Sequence, residues 1–184
     1  MATRRDERTQ ESRRLLVSAA AELFAEKGYR QTSFVDIADK AGISRGSIPW
    51  HFGNKLGLLE AVIDDQLQAV LTRFGAPADD PLGQVVDFIQ VPATRLFITL
   101  LAEAVEVGSP IREHYARLHA ALRQGVRARI PAEALPRGVT PEAFTVALVG
   151  TVIGVHAQWR IAPEAVDLEA VHTAIRALLP AGLA

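Results

Sequence analysis

The sequence predicts an all-α protein in two parts, and three observations carry that prediction. Apolar residues recur three and four positions apart through most of the 184 residues, the period of a helix with one buried side. The second part contains no stretch that alternates apolar and polar residues as a half-buried strand would. Gly and Pro stand where helices should stop or start, at Gly28, Gly42, Pro92, Gly108, Pro131 and Pro141. The boundary is placed after residue 54, giving an N-terminal three-helix domain (1–54) and a longer helical bundle (55–184).

Residues 1–8 carry Arg4, Arg5 and Arg8 and read either as a solvated terminus or as an arm that touches a phosphate. The first helix begins near Thr9. Its stripe is Leu15, Leu16, Ala19, Ala20, Leu23 and Phe24; Gly28 ends it and Tyr29 packs back on it. Ser33 followed by Asp36 forms a capping-box pattern. Ile37, Ala38 and Ala41 then share a face, and Gly42 supplies the left-handed terminus. Ile43 plugs the corner, Ser44 is a second N-cap candidate, and a short helix follows over about Arg45–Phe52. Two helices joined by three or four residues with a Gly in the turn form a helix-turn-helix.

In such a unit the second helix lies in the major groove of double-stranded DNA. Its exposed candidates are Arg45, Gly46, Ser47, Trp50 and His51, with Ser44 at its start. Arg pairs with guanine, Ser serves several bases, and Gly46 permits close backbone approach. Asn54 caps the next helix and places Lys55 in its first turn, where a cation and free N–H groups meet a phosphate.

The segment from Leu15 through Asp36–Ser44 to His51-Phe52 and Asn54-Lys55 resembles the DNA-binding region of the TetR family of bacterial transcriptional repressors. The resemblance covers about the first sixty residues. It implies phosphate contacts from Thr32 and Ser33, and a divergent second part that binds a ligand and forms a dimer. Pro49 departs from the family pattern, which commonly has an aromatic residue there. In a helix starting at Arg45 it would cost roughly 3 kcal/mol, whereas in a first turn it would cost little. It is kept as a groove-lining residue, with Trp50 taking the backbone contact.

The second part continues with a fourth helix to about Phe74, a linker at 75–81, and helices over 82–91, 93–107, 111–130, 141–161 and 166–179. An effector pocket between helices is assigned to Val62, Gln66, Phe88, Phe97, Leu101, Tyr115 and His119, mainly apolar and so suited to an apolar ligand. The last two helices carry more apolar surface than a small monomer needs. Val149, Val152, Ile153, His156, Trp159, Val171, Ile175 and Leu178 are therefore assigned to a homodimer interface.

Other classes find little support. There is no Cys, hence no thiolate metal site. The five His, at 51, 114, 119, 156 and 172, form no HExxH, and GxSxG, P-loop and GxGxxG motifs are missing. An enzyme, a metal and a cofactor are not expected. Nor is a membrane partner: the longest apolar run, 146–155, is about half a bilayer span. Residues 1–60 hold ten Lys/Arg against eight Asp/Glu, and 61–184 hold ten against thirteen. Phosphate attraction must then come from local placement. The expectation is a cytoplasmic repressor that binds a palindromic operator as a homodimer and is released by a small ligand. The alternative is a regulator whose second part only dimerises or binds a protein.

Overall fold

The structure, a computed structural model, describes residues 4–75 and 92–179. These form eight α-helices and one 3₁₀ turn, with no strand among the described residues. The helices are α1 (Arg4–Lys27), α2 (Phe34–Ala41), α3 (Ser47–Phe52), α4 (Lys55–Gly75), α5 (Pro92–Val105), α6 (Arg112–Arg127), α7 (Pro141–Ile161) and α8 (Leu168–Leu178); the 3₁₀ turn is Ala132–Ala134. The helix expected over 82–91, and with it Phe88, lies outside the described residues. Helix α1 starts at Arg4 rather than Thr9. Asp6 and Glu7 in its first turn complement the helix dipole, and Arg14 pairs with Glu11 one turn apart at 2.6 Å.

The chain divides into two compact units. The first is Met1–Leu67 with Thr99–Tyr115, the second Gln68–Ile98 with Ala116–Ala184. The sequence-based boundary at residue 54 therefore falls inside the first unit. Leu58, Leu59, Val62 and Ile63 of α4 are fully buried, as are Leu16, Ala20 and Phe24 of α1, Ile37 of α2 and Ile48 of α3. Hydrophobic burial is what holds the small helices in place, at about 25 cal/mol per Å².

Local chemistry fixes α2. The Ser33 hydroxyl accepts the Asp36 amide at 3.2 Å, and the Ser33 amide donates to the Asp36 carboxylate at 2.8 Å. Gly42 closes the helix at φ 65°, and its N–H reaches back to Ala38 and Asp39 carbonyls. The start of α4 depends on another glycine. Asn54 Oδ1 accepts the Gly57 amide at 2.9 Å, and a Cβ built on Gly57 would lie 2.2 Å from the Phe52 carbonyl oxygen. Only a residue without a side chain lets α4 approach the end of α3 this closely.

In the second unit Leu96, Leu118, Leu122, Val126, Leu148, Val152 and Ile175 are buried. Thr140 caps α7 through the Ala143 amide, with Pro141 at the first position, and Asp167 caps α8 through two amides. By length and composition α7 is apolar enough to cross a bilayer. Its buried residues are Thr145, Leu148, Val149, Val152 and His156, so one side is core and much of the rest is open.

Two outcomes test this account of the first unit. Asp36 is held at about 2 by the Ser33 hydroxyl first, then the Ser33 amide and Lys27. Its folded value is below the unfolded one, so the contribution is whole above about pH 4 and is lost as pH falls toward about 2. Ser33→Ala should cost about 1 kcal/mol at pH 7 in urea unfolding, with the gap from the parent narrowing below pH 4. No difference at pH 7 would remove the box from the stabilising contacts. Gly57→Ala should cost about 1–3 kcal/mol by overpacking. It should also loosen α3, read as faster amide exchange at Phe52–Asn54; parent-like exchange there would mean the approach is not tight.

Candidate functional site

Helix α3 is short because its beginning is a turn. The Ser47 amide donates to the Ser44 carbonyl at 2.9 Å and the Ile48 amide to the Arg45 carbonyl at 3.2 Å. Gly46 is the N-cap, with no side-chain cap bond. Ser44 thus contributes its carbonyl and not the capping hydroxyl expected of it. Counting from Ser47, Pro49 is the third helical residue, where a missing N–H leaves no intrahelical bond unmade. The proline sits in the first turn without breaking the helix.

Ile48 faces the core, while Ser44, Arg45, Gly46, Pro49 and Trp50 are exposed and Ser47 is half-buried. Trp50 is 69% exposed, conspicuous for the largest apolar side chain. His51 turns the other way. Its Nε2 lies 3.2 Å from the Ser12 hydroxyl, and its ring meets Trp50 edge-on at 4.5 Å. Burial, then the nearby Arg13 charge, keeps the imidazole below its ordinary value, so it is neutral at pH 7. The His51 geometry is that of a brace to α1.

Behind α3 lies an open cleft of about 490 Å³ lined by Arg30, Thr32, Ser33, Phe34, Val35, Arg45 and Lys55. Three cations converge there on the N-terminus of α2. Lys55 stands 4.5 Å over the Tyr29 ring and donates to the Arg30 carbonyl at 3.4 Å. Its pKa is lowered by burial, against Glu103 and Asp36, which favour the charge. Arg30 pairs with Glu106 at 2.8 Å, both well exposed. Arg30 has no sequence signal of its own, because residues 30, 45 and 55 meet only through the fold. Thr32 is 1% exposed, and its hydroxyl donates to the Gly28 carbonyl at 2.8 Å. That hydroxyl staples the α1–α2 turn from inside, and the phosphate contact expected of it has no exposed donor.

The second unit contains a narrow cavity of about 30 Å³. Thr94, Phe97 and Ile98 of α5 line it with Leu118, His119, Leu122 and Val126 of α6 and Val149, Val152 and Ile153 of α7. Of the expected pocket residues, Phe97 and His119 are there. Val62 and Tyr115 are buried in the first unit, to which Leu101 and Gln66 also belong, and those four do not line this cavity. His119 is kept below its ordinary value by burial and then by Arg123, leaving a neutral imidazole beside Thr94 as the polar lining.

Most of the residues expected at a dimer interface pack within the second unit. Val149, Val152, His156 and Ile175 are buried inside the second unit's own core, and three of the expected set line the cavity. His156 packs edge-on against Trp159 at 5.3 Å, and Trp159 and Val171 are half-buried; Leu178 alone of the set is freely exposed, at 83%. The exposed residues of α7 are Glu142, Ala143, Val146, Ala147, Gly150, Thr151, Gln158 and Ile161, and those of α8 are Glu169, Ala170, Thr173, Ala174, Ala177 and Leu178. The charges among them, Glu142 and Glu169, stand in the first turns of the two helices, and a Cβ at Gly150 or Gly154 would touch nothing within 4 Å.

Residues 16–62 match the model of the bacterial regulatory proteins of the tetR family. Over 188 aligned residues the chain is 31% identical to the probable HTH-type transcriptional regulator ArpR of Pseudomonas putida. It is equally similar to the HTH-type transcriptional regulator TtgR of the same species; each alignment covers 91% of this chain and 89% of the relative. The crystal structure of NalD, the secondary repressor of the MexAB-OprM multidrug efflux pump in Pseudomonas aeruginosa, superposes with a TM-score of 0.64. That match is 25% identical and covers 90% of this chain and 92% of NalD. A helix-turn-helix beside a three-cation cleft, and a likeness to two such regulators over 91% of the chain, make this protein a DNA-binding transcriptional regulator of the TetR family.

Proposed function

We propose that the protein is a repressor that holds a palindromic operator as a homodimer and leaves it when a small, mainly apolar molecule enters the second unit. The observation that carries the DNA half is the convergence of Arg30, Arg45 and Lys55 on the exposed start of α2. Cations and free amide groups together suit a phosphate. Ser33 lies at that site, while Thr32 and His51 hold the scaffold.

A palindrome needs two recognition helices about 34–36 Å apart, hence two copies. Beyond their first turns the exposed residues of α7 and α8 are uncharged and mostly small, which suits a twin, since small residues let helices pack closely. The dimer is therefore assigned to Ala147, Gly150, Gly154, Ala170, Ala174 and Ala177, with Leu178 at the edge.

The effector half rests on the cavity, whose lining is apolar apart from Thr94 and His119. A ligand must part α5, α6 and α7 to enter, and it shifts the protein only through different affinity for the parted state. The narrowness of the cavity supports the second reading, a regulator whose second unit only dimerises or binds a protein. Ligand titrations that read DNA affinity and melting temperature together separate the two: a compound that raises the melting temperature and lowers DNA affinity selects the effector reading.

Lys55→Gln and Arg45→Gln should each weaken binding to operator and scrambled DNA in parallel. In a dimer each should lower the salt slope of log K by about 2, read by fluorescence anisotropy across a salt series. An unchanged slope would remove that residue from the phosphate contacts. Ala147→Arg and Ala174→Arg should give monomers in analytical ultracentrifugation with parent-like circular dichroism, and at least a roughly tenfold loss of operator affinity. A persistent dimer in both would place the interface elsewhere.

A further inference from the structure

Positions 46, 49, 50 and 53 follow one another at spacings of three, one and three, so they share one side of α3. All four are exposed, opposite the buried Ile48. They are Gly46, Pro49, Trp50 and Gly53. This side of the recognition helix thus holds two residues without side chains around an apolar pair, and its one polar side-chain group is the indole N–H. The residues able to read bases by paired hydrogen bonds are elsewhere: Arg45 lines the cation cleft, and His51 is turned onto Ser12.

An apolar surface has one apolar group to meet on the major-groove edges of the four base pairs, the C5-methyl of thymine. We propose that Pro49 and Trp50 are specificity-determining residues that select thymine through its methyl group. The inference rests on the reading that α3 lies in the major groove. It explains why a side chain as large as Trp50 is left in solvent: its apolar cover is supplied by the operator. It also gives Pro49 a use, because a rigid ring in the first turn presents its carbons without rotamer entropy to lose. Gly46 and Gly53 on either side leave room for the groove to approach that pair.

The test uses the full-length protein. A consensus operator is selected from random duplexes, and each thymine is then replaced singly by deoxyuridine, which removes the methyl and leaves the pairing and hydrogen-bonding edges intact. At one or two thymines per half-site, binding should weaken about fourfold, the transfer value of one buried methyl-sized group. Trp50→Ala and Pro49→Ala, both at exposed positions, should bind the parent operator more weakly. At the thymine each residue covers, the variant should no longer distinguish thymine from uracil. If every uracil substitution is neutral while the consensus still binds specifically, the inference is overturned and the regulator reading stands. If Trp50→Ala weakens thymine and uracil operators equally, the indole packs on the sugar-phosphate backbone and the inference is likewise overturned. Recovery of no consensus at all would defeat the groove reading together with the inference.

Discussion

The close approach of α4 to the end of α3 is the constraint on which the DNA-facing surface depends. A helix of six residues cannot hold itself together in water, because nucleation costs more than one turn returns. Ile48 gives α3 a single fully buried anchor. The rest of its position comes from its two ends: the turn carbonyls of Ser44 and Arg45 at one, and the Phe52–Gly57 junction with the Asn54 cap at the other. The direction in which Pro49 and Trp50 point is therefore set by backbone packing outside α3. The exposed residues of α3 are free to be chosen for DNA.

What could be read from the sequence follows from how local each feature is. The Ser33–Asp36 box, the Gly42 terminus and the Asn54 cap are each decided within four residues, and all three stand as the sequence suggests. Ser44 looked equally like a cap, yet the turn used its carbonyl. A hydroxyl at a helix start has a choice of partners that composition does not rank. Thr32 shows the same limit. Its position before α2 is right for a phosphate, but its burial depends on Leu23 and Gly28, which only the fold brings to it.

In the second unit the limit has a different origin. Helix α7 is apolar around most of its circumference, so periodicity cannot say which side is core. Val149, Val152 and His156 turned inward and the small Ala147, Gly150 and Gly154 outward, with Val146 and Ile161 the bulky residues left exposed. Bulk gains more from complete burial than small side chains do, roughly 1.5–3 kcal/mol for a Val-sized group. A helix with both kinds of face gives its bulky side to its own core. The same rule moved the cavity: with Val149, Val152 and Ile153 inside, the space beside them lies between α5, α6 and α7, and Val62 and Tyr115 complete the other unit.

Helix α5 links these facts. Thr94, Phe97 and Ile98 near its start line the cavity, whereas the next residue, Thr99, donates to the Ala25 carbonyl at 3.2 Å in the first unit. One turn further on, Glu103 favours the charged form of Lys55 and adds to the burial that raises Tyr29. Glu106, just past the helix end, pairs with Arg30. Lys55 and Arg30, two of the cations that would hold a phosphate, are thus already neighbours of carboxylates, Glu103 in α5 and Glu106 just past its end. An exposed pair such as Arg30–Glu106 is worth at most about 1 kcal/mol, so a DNA phosphate can displace Glu106 at little cost.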